Sequence, residues 1–129
     1  MNKYGAKKVY YDGKEFDSRK EKNRYQELKI LERVGQISDL ELQKTFELIP
    51  AQYEPSTEVY KKGKNKGKPK RGKLIEKAVT YKADFVYIDE NGETTVEDVK
   101  GYKGGGAYAV FTIKRKLLLY KYGIKIKEV

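Results

Sequence analysis

Tyr81 to Gly101, YKADFVYIDENGETTVEDVKG, sets the architecture expected of the rest of the chain. It has the pattern of a β-hairpin, with Asp84 on its first strand and Asp98 and Lys100 on its second, folded at Asn91-Gly92. Side chains alternate along a strand, so Asp98 and Lys100 share a face while Val99 and Glu97 point the other way. On the first strand, Val79, Tyr81, Ala83, Phe85 and Tyr87 are expected on one face, the better core face. Thr80, Lys82, Asp84, Val86 and Ile88 are expected on the other. If the turn brings Asp84 beside Asp98, two carboxylates and an ammonium form a candidate divalent-metal site.

Outward from the hairpin, Asp12-Gly13 in KKVYYDGKEFD (residues 7–17) marks a smaller N-terminal hairpin. Ser18 then opens SRKEKNRYQELKILERVG, where Ser18 and Glu21 have capping-box spacing. Tyr25, Leu28, Leu31 and Val34 recur at helical intervals, and Gly35 can end the helix. Glu21 lies roughly 50° from the centre of that apolar stripe at about 100° per residue, so it leans toward the core. Two roles stay open for it: capping the helix through the Ser18 amide, or serving a site. Residues 36–50 read as a connection and then a strand around Thr45 to Ile49, ended by Pro50.

Past the hairpin, residues 101–107 (GYKGGGA) read as a flexible crossing. A helix over 108–122 follows, with Val110, Ile113 and Leu117 recurring and Phe111 and Leu118 widening the stripe. Gly123 ends it, and residues 124–129 form a last strand that can return parallel to the sheet. The expected fold class is α/β: one domain over residues 1–129, with a mixed central sheet flanked by helices.

Lys and Arg number 29 against 19 Asp and Glu, a net +10 that suits a polyanionic partner such as nucleic acid. Lys61, Lys62, Lys64, Lys66, Lys68, Lys70, Arg71 and Lys73 fall in one run, and subtracting its +8 from +10 leaves +2 for the rest. The segment around it, about 55–77, has no hydrophobic periodicity and reads as a flexible loop or strand extension. Its alternatives are a solvated loop and a flap on phosphates, whose binding weakens as salt rises. Tyr53 and Tyr60 beside it can stack on bases or simply pack.

With no cysteine and no histidine, disulfides, thiolate zinc sites and His-dependent nucleophile or nuclease systems are excluded, so any metal needs oxygen ligands. No apolar run is long enough to span a membrane, and MNKYGAKKVYY lacks a signal-peptide core. A soluble cytoplasmic protein without membrane contact is the expectation.

Three readings fit two acids and a lysine on this hairpin. One is a surface ion-pair cluster, and another is a non-catalytic nucleic-acid-binding sheet, against which acids on the binding face argue. The third is a metal-dependent phosphodiesterase site, where Mg²⁺ offsets the repulsion between carboxylate and phosphate. Only the third accounts for acids and bases together. Lys100 would then orient or deprotonate a water, and Glu21 would add a carboxylate.

Asp84, thirteen intervening residues and then Asp98-Val99-Lys100, within an αβββαβ order, resemble the PD-(D/E)XK nuclease superfamily with its restriction-endonuclease-like core. The segments FDSRKEKNRYQEL, YKADFVY, VEDVKGY and IKRKLLLYKYGIKI resemble small phage and prophage endonucleases of that superfamily, some of them Holliday-junction-resolvase-like. The resemblance implies Glu21, Asp84 and Asp98 as metal ligands for Mg²⁺, with Mn²⁺ as a substitute, and Lys100 as the catalytic lysine. It further implies a DNA endonuclease acting on branched or recombination DNA in a bacterial host, with a non-catalytic DNA-binding protein of the same fold as the alternative. Ala83 stands where the name-giving proline would be, and Asp98 replaces the commoner Glu. Lys114 on the second helix is a further candidate for phosphate contact, or else a snorkelling lysine. A homodimer fits an enzyme that cuts both strands.

Overall fold

The computed structural model describes residues 7–101 and 103–129. The stretch read for a signal peptide lies partly outside them, in residues 1–6, and the crossing at 101–107 includes Tyr102, also outside. The small hairpin pairs β1 (Val9–Tyr11) with β2 (Lys14–Phe16). Asp12 and Gly13 turn it with φ of 55° and 72°, the left-handed pair that a two-residue turn requires. Helix α1 (Arg19–Arg33) starts at Ser18, whose hydroxyl accepts the Glu21 amide N–H at 3.1 Å. Tyr25 and Leu28 are buried as expected, whereas Val34 caps the helix and is 62% exposed.

Strand β3 spans Ser38–Ile49, seven residues longer at its start than the sequence pattern suggests. It pairs antiparallel with β6 (Val79–Ile88), which pairs antiparallel with β7 (Thr94–Asp98). Helix α2 (Gly105–Tyr122) follows and ends at Gly123, whose φ is 69°. Strand β8 (Ile126–Glu128) then returns parallel to β7, completing the mixed sheet β3-β6-β7-β8. Between β3 and β6 the chain leaves as a separate two-stranded ribbon, β4 (Gln52–Tyr53) with β5 (Leu74–Glu76). The basic run, residues 61–73, lies between these two strands, and none of its residues belongs to either. No helix among the described residues is long and apolar enough to cross a membrane.

Two core clusters sandwich the sheet. Tyr25 and Leu28 of α1 pack with Phe16, Ile37, Phe85 and Tyr87, while Phe111 and Leu118 of α2 pack with Phe46, Tyr81, Val86 and Val96. Neighbouring Phe85 and Val86 divide between the clusters, which places the helices on opposite faces.

The single-faced alternation expected for β6 does not hold along its length. Tyr81 and Ala83 face α2, but Phe85 and Tyr87, of the same parity, face α1. The switch falls at Asp84. Opposite it on β3, Leu40 and Leu42 pack toward α1 and Phe46 and Leu48 toward α2, with the switch near Gln43. Gln43 has φ of 56°, and the register Leu42↔Phe85 and Lys44↔Ala83 puts it across from Asp84. A left-handed residue in mid-strand turns the following side chains over, and both strands change face together.

Helix α2 buries a different stripe from the expected Val110, Ile113 and Leu117, of which only Leu117 packs against the core. Ile113 is 60% exposed and Val110 is exposed as well, while Phe111 and Leu118, seven residues apart, point into the core. So many residues of this helix are apolar that two stripes satisfy one period.

Candidate active site

The site forms where β6 and β7 part. Their ladder ends at Phe85↔Glu97, and the next rung would set Asp84 opposite Asp98. Instead of a backbone bond there, Asp84 Oδ2 accepts the Val99 N–H at 2.8 Å. A carboxylate thus fills the fork and satisfies an amide that the diverging strands leave free.

Glu21 reaches this fork from the first turn of α1. Its residue is only 4% exposed, and its Oε1 accepts the Gln43 side-chain amide at 3.1 Å; the same Nε2 lies 3.5 Å from Asp84 Oδ1. One neutral amide therefore sits between two carboxylates. Burial, then the charges of Asp84 and Asp17, raise Glu21 from 4.5 to about 7, although the Asp17 backbone N–H works against the rise. That contact, and not one to the Ser18 amide, makes the helix cap only half a capping box. Burial likewise raises Asp84 from 3.8 to about 6, opposed by the Val99 N–H and reinforced by Asp98. An open cleft of about 190 Å³, lined by Lys8, Glu15, Asp17, Glu21, Gln43 and Lys82, gives solvent access to the Glu21 end.

Asp98 and Lys100 lie on the α2 face of the same fork, sharing a side as alternation required. Lys100 Nζ is 2.8 Å from Asp98 Oδ1 and 3.3 Å from the centre of the Phe111 ring. The ring face and the carboxylate hold the ammonium from two directions. Tyr81 donates its hydroxyl to Asp98 Oδ2, and burial with that bond pushes the Tyr81 phenol well above its ordinary range. Lys20 Nζ donates to the Lys100 carbonyl at 2.6 Å, tying α1 to the end of the hairpin.

Glu97 belongs elsewhere, as alternation excluded it from the group. It is wholly buried on the α1 face, where Arg24 donates Nε at 2.7 Å and Nη2 at 2.6 Å to its two oxygens and Tyr87 donates its hydroxyl. Burial alone would raise its pKa, but Arg24 and Tyr87 outweigh it and hold the carboxyl below the usual range. This is a structural ion pair.

The structure therefore brings Glu21 to Asp84 through Gln43, and Asp98 to Lys100. No three acidic side chains among the described residues come close enough to share one metal ion as they stand. Gln43 was not legible in the sequence, because its role depends on the register across β3 and β6. Lys61, Lys62, Lys64, Lys66, Lys68, Lys70, Arg71 and Lys73 are all exposed, and none of them contacts Glu21, Asp84, Asp98 or Lys100 among the described hydrogen bonds and ion pairs. Lys114 is half-buried on α2, one turn beyond Phe111, and forms no hydrogen bond or ion pair among the described residues.

The class defined by these observations is a mixed α/β domain with a buried carboxylate–lysine cluster at a strand fork and a basic β-ribbon. The chain belongs to the family described as protein of unknown function (DUF1064), whose model matches residues 1–128. No curated protein and no solved structure matches the chain.

Proposed function

We propose that this domain is a divalent-metal-dependent DNA endonuclease of the PD-(D/E)XK type. The observation that carries the proposal is the fork itself: Glu21 and Asp84, both raised in pKa by burial and each by a neighbouring acid's charge, with Asp98 and Lys100 beside them. Carboxylates that share one amide and lack a cation of their own weaken a fold, and such arrangements cluster at working sites. The element order α1, β3, β6, β7, α2, β8 supports a restriction-endonuclease-like core.

The donor set suits Mg²⁺ or Mn²⁺, since all its ligands are hard oxygens. Asp84 and Asp98 would hold the ion, with Glu21 completing the acidic group. A bound divalent cation supplies charge neutralisation for a scissile phosphate and makes a water more acidic. Lys100, fixed between Asp98 and the Phe111 ring, presents one positive charge to an incoming phosphate and its attacking water. Gln43 keeps Glu21 and Asp84 together before a cation arrives. The ribbon's eight cations hold the DNA backbone through contacts that weaken with salt. Branched or recombination DNA is the substrate that the family resemblance favours.

A second reading is favoured by the spacing of the acids, since among the described residues no three of them come close enough for one ion. In that case the domain binds DNA without cutting it. An Asp84→Ala protein separates the two. Loss of plasmid nicking in Mg²⁺ with DNA binding retained supports the enzyme; nicking unchanged by Asp84→Ala rules out this site.

A further inference from the structure

The two sides of the basic segment are tied by backbone contacts near its base and its tip, with a gap at residues 55–57. Beyond Gln52↔Glu76 and Tyr53↔Leu74, the Glu54 N–H donates to the Lys73 carbonyl at 2.8 Å and the Lys70 N–H to the Glu58 carbonyl at 2.9 Å. Val59 bridges Pro69, and the Tyr60 N–H donates to the Lys68 carbonyl at 3.1 Å. Turns at Gly63 and Gly67, with φ of 79° and 83°, close the tip. Every residue from Glu54 to Arg71 is exposed. From Val59 to Ile75 the arm carries its eight cations and no carboxylate.

We propose that this arm is a duplex-gripping ribbon that lies in the major groove of DNA flanking the carboxylate fork, an inference that rests on the nuclease reading for the fork's role. Two strands about 4.8 Å apart with their side chains fit a major groove of about 12 Å as it stands, whereas a minor groove of about 6 Å must be deformed to admit them. Single-strand binding needs open aromatic faces, but here the Arg71 guanidinium covers Tyr53 at 4.3 Å and Lys70 Nζ stands 5.8 Å from the centre of the Tyr60 ring. Each ring thus has a cation at one face, which competes with a stacking base there.

The arm also works as a ruler. It leaves the sheet just beyond Ile49↔Val79, the last rung of the β3–β6 pair that carries Gln43 and Asp84, so its base lies at a set distance from the fork. Val79, at the base, is five residues from Asp84, about 17 Å at 3.3–3.4 Å per residue. The tip at Lys64 lies eleven residues beyond Tyr53, at most about 37 Å further. With about 13 Å more for the four residues from Ile49 to Tyr53, at 3.4 Å per base pair the arm covers at most duplex from roughly 5 to 20 base pairs to one side of the fork.

The test is binding in EDTA, where cleavage plays no part, with a 30-base-pair duplex, a 30-nucleotide single strand and duplexes of shortened flank as probes. The variant carries Lys62→Gln, Lys64→Gln, Lys66→Gln, Lys68→Gln and Lys70→Gln, all at exposed positions. Wild type is expected to prefer duplex at least tenfold and to shield guanine N7 from dimethyl sulfate. It should also lose at least tenfold in affinity as the flank falls below about 10 base pairs. The variant should lose the shielding and the length dependence, and its salt slope should fall by about 4 to 5. Equal affinity for single strand, shielding of adenine N3 alone, or a variant that binds as wild type does overturns the inference. Duplex gripping without any cleavage in Mg²⁺ keeps the ribbon and refutes the nuclease; cleavage indifferent to the variant does the reverse.

Discussion

Replacing Glu21 by Gln should stabilise this protein at alkaline pH and leave it unchanged in acid. Glu21 is raised from 4.5 to about 7 in the folded state, first by burial and then by the charge of Asp84. Its folded pKa lies above its unfolded one, so the folded chain binds the proton more tightly. That contribution to stability is present below pH 4.5 and is lost as pH rises through about 7. At about 1.4 kcal/mol for each tenfold change in proton affinity, ionising Glu21 costs the fold about 3 kcal/mol by pH 8. Gln removes the charge and keeps a carbonyl oxygen for the Gln43 amide. Urea denaturation in EDTA should find Glu21→Gln more stable than wild type by about 3 kcal/mol at pH 8, on the order of 10 °C in Tm, and equal to it at pH 4.5. Addition of MgCl₂ at pH 8 should stabilise wild type more than the variant, which keeps Asp84 and Asp98 but lacks the third carboxylate. Indistinguishable wild-type and variant stabilities from pH 4.5 to 8 would refute the claim that Glu21 is held as a strained, uncompensated carboxylate.

Other outcomes follow from neighbouring contacts. Arg24→Ala leaves Glu97 buried without its cation and should cost about 3–5 kcal/mol in urea denaturation, while the apolar pair Arg24→Met with Glu97→Leu recovers most of it; a loss under 1 kcal/mol for Arg24→Ala argues against a structural pair. Gln43→Leu removes the donor that lowers the Asp84 pKa, so a carboxyl NMR titration should find Asp84 higher still; an unmoved titration means the amide does not bridge. A Cβ at Gly72 would lie 2.0 Å from the Glu54 carbonyl oxygen. Gly72→Ala should therefore open the base of the ribbon, seen as faster hydrogen exchange of the Glu54 amide with core amides unchanged.

Local chemistry made part of this fold legible. Asp12-Gly13 can adopt the two left-handed conformations of a tight turn, Ser18 can cap a helix, and β6 has the bounds its β-branched and aromatic alternation implies. Asp98 and Lys100 share a face because only Val99 separates them. The same rule failed one strand away, because it assumes an unbroken pleat. Gln43 takes a left-handed conformation that nothing in ELQKTF announces, and the β3–β6 pair changes face at its rung with Asp84. The early start of β3 was hidden for the same reason, since polar residues alternate irregularly across that turnover. Asp89 was equally silent: its Oδ1 accepts the Asn91 and Glu93 N–H groups at 2.8 and 3.0 Å, and so organises the turn read only as Asn91-Gly92. The ribbon could be seen as charge but not as structure, because its pairing is carried by backbone groups.

Cutting of DNA at the fork with a divalent cation, as proposed, is tested by a cleavage panel. Wild-type protein is incubated with linear, nicked, forked and four-way DNA in Mg²⁺, and again in Mn²⁺. Cleavage of at least one substrate, abolished by EDTA and by Asp84→Ala, is the predicted result; intact DNA in every lane with either metal contradicts it.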